Sequence, residues 1–376
     1  MQEKNSYGLL DLFLITIPAV LFAKYLFHAS GTIIFILACI SIVPLAKWLG
    51  IATERIAEKG GEGVGGLLNA TFGNAAELII AGVAMRDGLS EVVKASLTGS
   101  IIGNILLVMG ASFIAGGSRH KIQNFSVAGV HSQTSMLMLA TISLIIPALF
   151  HFIALNSYSL SPLLNSERNI SLDISAVLLL VYGFSLLFSL KTHKQLFSVV
   201  IEREDTESPP RNTWSIKKSL SILFISTIFI TWMSELLVGS IKPAAEALGM
   251  SGLFIGVIVV AIVGNAAEHS TAVVAALKNR MDLSLGIAIG SSTQITLFVA
   301  PILVFLSYLI GPQPLDLVFS ISEVIAIALS VLIASQVTGD GQSNWFEGVQ
   351  LIAVYLILAV MFYYLPVSGS GVAPPN

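Results

Sequence analysis

Two stretches decide how this chain is read: GNAAEL at 73–78 and GNAAEH at 264–269. They lie 191 residues apart, and the same offset carries Gly65 onto Gly256, Ala81 onto Ala272, Gly99 onto Gly290 and Ser100 onto Ser291. A chance pentapeptide would not hold one register from Gly65 to Ser100, so the chain contains an internal repeat. Both copies sit in long apolar runs. A carboxylate in such a run is expensive and marks a functional site by default. Two of them in matched settings, Glu77 and Glu268, are the centre of the reading.

The surroundings of the motif are those of a membrane protein. Of 376 residues, 55% are hydrophobic and 11% charged, against roughly 25% charge in soluble domains. Mean hydropathy is +0.86. This excludes a soluble enzyme, a disordered chain and, with a net charge of −3, a nucleic-acid binder. The single cysteine, Cys39, excludes a disulfide framework and a multi-cysteine metal site. The buried histidines and serines follow no spacing for nucleophilic or metal-hydrolase chemistry, so a transporter is expected rather than an enzyme.

A helix needs about 20 apolar residues to cross a bilayer. Such runs lie near 8–27, 31–50, 64–86, 92–117, 125–154, 172–191, 217–240, 250–277, 283–310, 315–337 and 346–366. The expected fold is therefore an all-α polytopic membrane protein of eleven transmembrane helices. The first run, preceded by Lys4, also has the outline of a signal peptide, but no small-x-small cleavage pattern follows cleanly and it is read as a span. With the N-terminus placed in the cytoplasm, all but five of the 19 Lys and Arg fall on the inner side; Lys24, Arg86, Lys94, Arg168 and Lys242 are outside. The positive-inside rule thus favours that orientation.

The two motif copies fall in spans three and eight. An odd number of spans separates them, so they cross the membrane in opposite directions. This is the pattern of an inverted repeat, whose interface brings its two copies together near the midplane. The expected organisation is an extra N-terminal helix (1–30), a first five-helix repeat (31–191), an acidic cytoplasmic linker (192–216), a second five-helix repeat (217–366) and a tail (367–376).

Asn74 and Glu77 are three residues apart and share a helix face, as do Asn265 and Glu268. Gly73 and Gly264 allow the backbone to open just before each Asn, which frees carbonyl oxygens. Carboxylates, carboxamides and carbonyls make an all-oxygen shell, which hard cations prefer, Ca²⁺ above all. Two carboxylates buried together repel and lose hydration. Either a divalent metal or protons relieve both costs. Competition for the same oxygens is the physical basis of cation/proton antiport.

Further polar residues are candidates for the transport path or a proton relay: Ser100, Asn104, Ser291, Ser292, Gln294, His131, His269, Glu235 and Glu323. Ordinary interhelical hydrogen bonds or packing roles compete with this at each position. Glu202, Glu204, Asp205 and Glu207 lie either in a solvated inter-bundle linker or in a candidate regulatory acidic segment that gathers divalent cations, without the spacing of an EF-hand loop. Glu54, Glu58 and Glu62 form an acidic stripe read as a solvated helix end.

The stretch ATERIAEKGGEGVGGLLNATFGNAAELII at 52–80, with VGNAAEHSTAV at 263–273 and GSSTQITLFVAP at 290–301, resembles the cation/proton exchanger family, calcium/proton antiporters of the calcium/cation antiporter superfamily. The resemblance covers nearly the whole chain in order. It implies eleven spans, a five-plus-five inverted core, and Ca²⁺ extrusion or sequestration driven by a proton gradient. It also implies Glu77 and Glu268 as the central acidic pair, Asn74 and Asn265 as helix-break partners, and Gln294 with its neighbouring serines as part of the second conserved region. Two positions depart from it: Gly103 stands where many relatives carry serine, and His131 where glutamine is expected. The absence of a long N-terminal extension of the plant type points to a prokaryotic plasma membrane. Cofactors are not expected. Ca²⁺ and protons are the expected substrates, Mn²⁺ and Na⁺ are further candidates for cargo, and assembly into a homo-oligomer stays open. The competing readings are a monovalent cation (Na⁺ or K⁺)/proton antiporter, a sodium/calcium exchanger and a passive cation channel.

Overall fold

The computed structural model describes residues 9–155, 160–193 and 214–365. The chain is almost entirely helical. In order, the helices are α1 (Thr16–Tyr25), α2 (Gly31–Phe72), α3 (Ala75–Arg86), α4 (Ser90–Gly117), α5 (Val127–Ala154), α6 (Leu160–Leu187), α7 (Ile216–Leu248), α8 (Gly252–Leu277), α9 (Met281–Ile310), α10 (Ile321–Val337) and α11 (Trp345–Tyr364). Two-residue strands β1 (Gln123–Asn124) and β2 (Gln342–Ser343) pair antiparallel, with Gln123 opposite Ser343, and tie the link before α5 to the link before α11.

Among the described residues, eight helices are long and apolar enough to cross a membrane. The polypeptide is also built inside out relative to a water-soluble fold. Leu309, Phe224 and Ile357 are 82%, 68% and 67% exposed on the outside, while Asn74, Asn104, Asn265, Ser292 and Glu323 are buried within. A bilayer is as apolar as leucine, so such a bundle is held by close packing and interior hydrogen bonds rather than by burial of greasy surface.

The runs at 92–117, 125–154, 250–277, 283–310 and 346–366 coincide with helices to within two residues at each end, while α6 starts twelve residues ahead of the run at 172 and α7 outlasts the run ending at 240 by eight; local chemistry sets the ends. Ser126, Ser215, Ser251 and Ser320 each accept a hydrogen bond from an amide of the first turn they precede. Gly249, at φ 64°, ends α7 in the left-handed conformation that glycine adopts without strain.

Three further places differ from the sequence expectation. The stretch at 51–63, read as the solvated end of the second span, does not end the helix: α2 continues through it from Gly31 to Phe72 and joins the second run to the start of the third. The charges there suit a helix: Arg55 and Glu58, three residues apart, pair at 2.8 Å. The tenth run starts as an extended segment with Leu315, Leu317 and Phe319 buried, so α10 itself is only 17 residues long. Finally, the helices beside the motifs carry π-turns, at Gly103–Val108 in α4, Ile255–Val260 in α8 and Ile295–Val299 in α9. Such turns insert an extra residue and are frequent at functional sites.

Candidate ion-binding site

The first motif lies at a break. Helix α2 ends at Phe72, Gly73 and Asn74 form a turn, and α3 begins at Ala75 with Glu77 in its first turn. The break expected at Gly73 is present. The one expected at Gly264 is not: α8 runs through Gly264 and Asn265 as regular helix, and its irregularity lies one to two turns earlier, in the π-turn at Ile255–Val260. Asn265 donates from Nδ2 to the Ala261 carbonyl at 2.9 Å, a contact made within an unbroken helix.

The two copies meet. The Glu77 side chain packs on the bare backbone of Gly264; a Cβ placed there would lie 3.5 Å from its Cγ and 3.6 Å from Oε1. That is ordinary van der Waals contact, and it places the Glu77 carboxylate directly against the second motif. Glu77 and Glu268 are close enough for their charges to act on one another, and Glu268 is in hydrogen-bonding contact with Ser291.

The repeat writes itself into the hydrogen bonds. Asn265 donates to Ser100 Oγ at 2.9 Å, and Ser291, the repeat equivalent of Ser100, donates to Oδ1 of Asn74 at 3.2 Å. Each motif asparagine is thus held by a serine from the other half of the chain. Ser292 donates to the carbonyl of Ile101, its own equivalent position, at 3.3 Å, which puts that contact where the halves cross. Beyond this the halves diverge. Asn74 donates to Oε1 of Gln294 at 2.6 Å. The position equivalent to Gln294 is Gly103, where an added Cβ would meet open space. His269 Nε2 donates to Asn104 Oδ1 at 3.0 Å, while the equivalent places hold Leu78 and Ile295.

Buried oxygens remain after this accounting. Oε2 of Glu77, Oε2 of Glu268 and Oδ1 of Asn265 make no hydrogen bond within the described residues. Buried polar atoms are nearly always partnered, so three unpartnered oxygens in one neighbourhood point to a ligand that is itself positive. No cluster of three or more His, Cys, Asp or Glu exists among the described residues. The charged donors here are two carboxylates, and the remaining donors are amides and hydroxyls, the ligand set of a hard cation.

The other candidates fall outside this cluster. His131 is exposed on the first turn of α5. Glu235 is exposed on α7 and pairs with Arg86 at 3.0 Å. Glu323 is buried, but as the third residue of a capping box: its Oε2 accepts from the Ser320 amide at 2.9 Å, and its Oε1 accepts from Thr98 at 3.2 Å. The pattern Ser320-Ile-Ser-Glu323 was its signal in the sequence. Glu202, Glu204, Asp205 and Glu207 lie outside the described residues. Two buried charged residues were missed. Glu167 is buried in α6 against His151 at 2.5 Å. Lys94, assigned to an outer link, is buried in α4 with Nζ held by Asp316 at 2.7 Å and the Val318 carbonyl at 2.9 Å, and with Glu91 one turn away at 3.8 Å. Asp316 and Val318 lie more than 200 residues away, beyond any local pattern.

This is an all-α bundle of apolar helices with two acids from matching motifs buried beside one another, the general form of a cation exchanger. The model of the sodium/calcium exchanger protein family matches residues 30–191 and 218–364, and the chain belongs to that family. Among its relatives, a Ca(2+)/H(+) antiporter of Synechocystis sp. is 45% identical over 357 residues, covering 92% of this chain and 94% of the relative. The Ca(2+)/H(+) antiporter ChaA of Bacillus subtilis is 42% identical, covering 90% and 94%. Among solved structures, native YfkE superimposes with a TM-score of 0.80 at 38% identity, covering 95% of this chain and all of that one.

Proposed function

We propose that this chain is a secondary active Ca²⁺/H⁺ antiporter that moves Ca²⁺ across a membrane at the expense of a proton gradient. The observation that carries the reading is the meeting of Glu77 and Glu268, each with a carboxylate oxygen that no protein group satisfies. Moving an ion out of water costs on the order of several kcal/mol even after relaxation, and two like charges together add to it. A divalent cation between them cancels both costs. Two protons cancel them as well, and the same oxygens cannot hold both. Loading with Ca²⁺ on one side and exchanging it for protons on the other is the cycle that this competition drives. If both carboxylates return protonated, at least two protons move per Ca²⁺. The names and high identity of the Synechocystis and Bacillus relatives support the same substrates.

In this reading Glu77, Glu268 and Asn265 ligate the ion, and Asn74, Ser100, Ser291 and Gln294 position them. The halves 31–191 and 217–366 form inverted repeats of five spans each, after one extra N-terminal span, with the N-terminus in the cytoplasm. Alternating access is a rocking of one half against the other about this fixed site. The alanines of GNAAE offer no hydroxyls for sodium, which disfavours sodium coupling.

The test is radiocalcium uptake into proteoliposomes under an imposed pH gradient, with and without Na⁺. Uptake is expected to follow the pH gradient, to need no Na⁺, and to vanish in Glu77→Gln and in Glu268→Gln. Uptake driven only by Na⁺, or normal uptake in both variants, overturns the reading.

A further inference from the structure

Far from the paired acids, the ends of α2 and α7 build a second site of different chemistry. Trp48 of α2 stacks on Trp214, which leads into α7, with ring centres 5.9 Å apart and planes 17° apart. Lys218 lies over the Trp214 ring at 4.5 Å, and Lys59 donates to the Trp214 carbonyl at 2.5 Å. Lys217 is exposed beside them. Nearby charges partly cancel in pairs: Lys47 with Asp11 at 2.9 Å, and Arg55 with Glu58 at 2.8 Å. Among the described side chains, Lys59, Lys217 and Lys218 stand against Glu54, an excess of positive charge.

Directly alongside, the same two helices enclose a cavity of about 150 Å³ lined by Thr53, Ile56, Leu68, Phe72, Leu220 and Leu223. Its wall is apolar in practice, because the Thr53 hydroxyl is spent on the Leu49 carbonyl at 3.0 Å. A cavity that offers water no partners favours a hydrocarbon occupant. Lysines with interfacial tryptophans, by contrast, are the signature of contact with anionic headgroups.

We propose that the α2–α7 cleft binds an anionic phospholipid, its headgroup among Lys59, Lys217 and Lys218 and an acyl chain in the cavity. The charge complementarity and the apolar slot are two independent features that one amphiphile satisfies together. Phe72 is the last residue of α2, next to Gly73 and Asn74, so the lipid chain touches the wall of the broken helix and its occupancy promotes transport.

Binding is read by tryptophan quenching of the full chain in phosphatidylcholine vesicles doped with brominated phosphatidylglycerol or brominated phosphatidylcholine. The anionic phosphatidylglycerol is expected to quench more strongly. Each change among Lys59→Gln, Lys217→Gln and Lys218→Gln is expected to cut that preference about fivefold. Leu223→Phe, which fills the slot, is expected to weaken quenching by both lipids, and the Lys217→Arg/Lys218→Arg protein to keep the preference. Equal quenching by the two lipids, or a preference unchanged in the glutamine variants, overturns the proposal; so does a cross-linked dimer through residue 220 that neither lipid displaces. Radiocalcium uptake in the same vesicles, expected to rise with phosphatidylglycerol, rests on the antiport reading. The quenching does not, so the two failures are distinguishable.

Discussion

The two copies of GNAAE have the same sequence and different structures. In the first, the helix stops and restarts, and both ends of the Asn74 carboxamide are engaged, by Ser291 and by Gln294. In the second, the helix is continuous, and Asn265 spends its Nδ2 on Ser100 and its own turn while its Oδ1 has no hydrogen-bond partner. A repeat fixes which positions face one another. The residues around each copy then decide what each position does. Here one asparagine is a brace and the other presents a free oxygen, because Gly103 stands where the second half has Gln294.

That contrast is exposed to experiment. The largest effect is expected at the acids that both copies share. Replacing one carboxylate leaves a divalent cation with half of its neutralising charge and the cycle with one of its two proton carriers, so Glu77→Gln and Glu268→Gln should each cut radiocalcium uptake about a hundredfold or more. The asparagines should then separate. Asn265→Ala, which removes the free oxygen, should raise the half-saturating Ca²⁺ concentration about tenfold with little change in melting temperature. Asn74→Ala strands Ser291 and Gln294 and should cost about 2 kcal/mol of stability, with a smaller change in half-saturation. Equal behaviour of the two would dissolve the distinction between brace and ligand. Glu323→Gln should cost about 1 kcal/mol in thermal unfolding through its cap and leave half-saturation unmoved. A shift in Ca²⁺ response there would place it on the ion path after all. Gly103→Ala has room for its methyl group and should raise stability by about 0.5–1 kcal/mol, since glycine is the costlier residue inside a helix. Smallest of all, Glu235→Gln should transport as the native chain does, because its partner Arg86 is solvent-exposed.

What could be read from the sequence follows from the range of each interaction. The repeat register, and with it the equivalence of Ser100 and Ser291, is a long pattern that survives local variation; the pairing of each serine with the asparagine of the other half is seen only in the structure. Helix limits near 127, 216 and 345 follow from apolar runs opened by Ser126, Ser215 and Asn344. The acidic stripe at 54–62 was legible as helix, but not the continuation of α2 to Phe72, because charged residues mark the end of a span yet are also good helix formers. Glu235 and Glu323 illustrate the limit of a rule based on composition: both lie in apolar runs, but one reaches the surface and the other closes a helix start. Lys94 was beyond reach, since nothing near it in the chain announces Asp316. The π-turns likewise leave no mark in the residue pattern.

Close contact between α4 and α8 has a mechanical consequence. Gly99 admits the Val257 carbonyl so closely that any side chain would collide, and a Cβ on Gly256 would lie 2.6 Å from that of Ala95. The two backbones are meshed like gear teeth: sliding one along the other by a single residue would drive a methyl group into main chain. Two glycines thus lock the longitudinal register of the two halves at this junction.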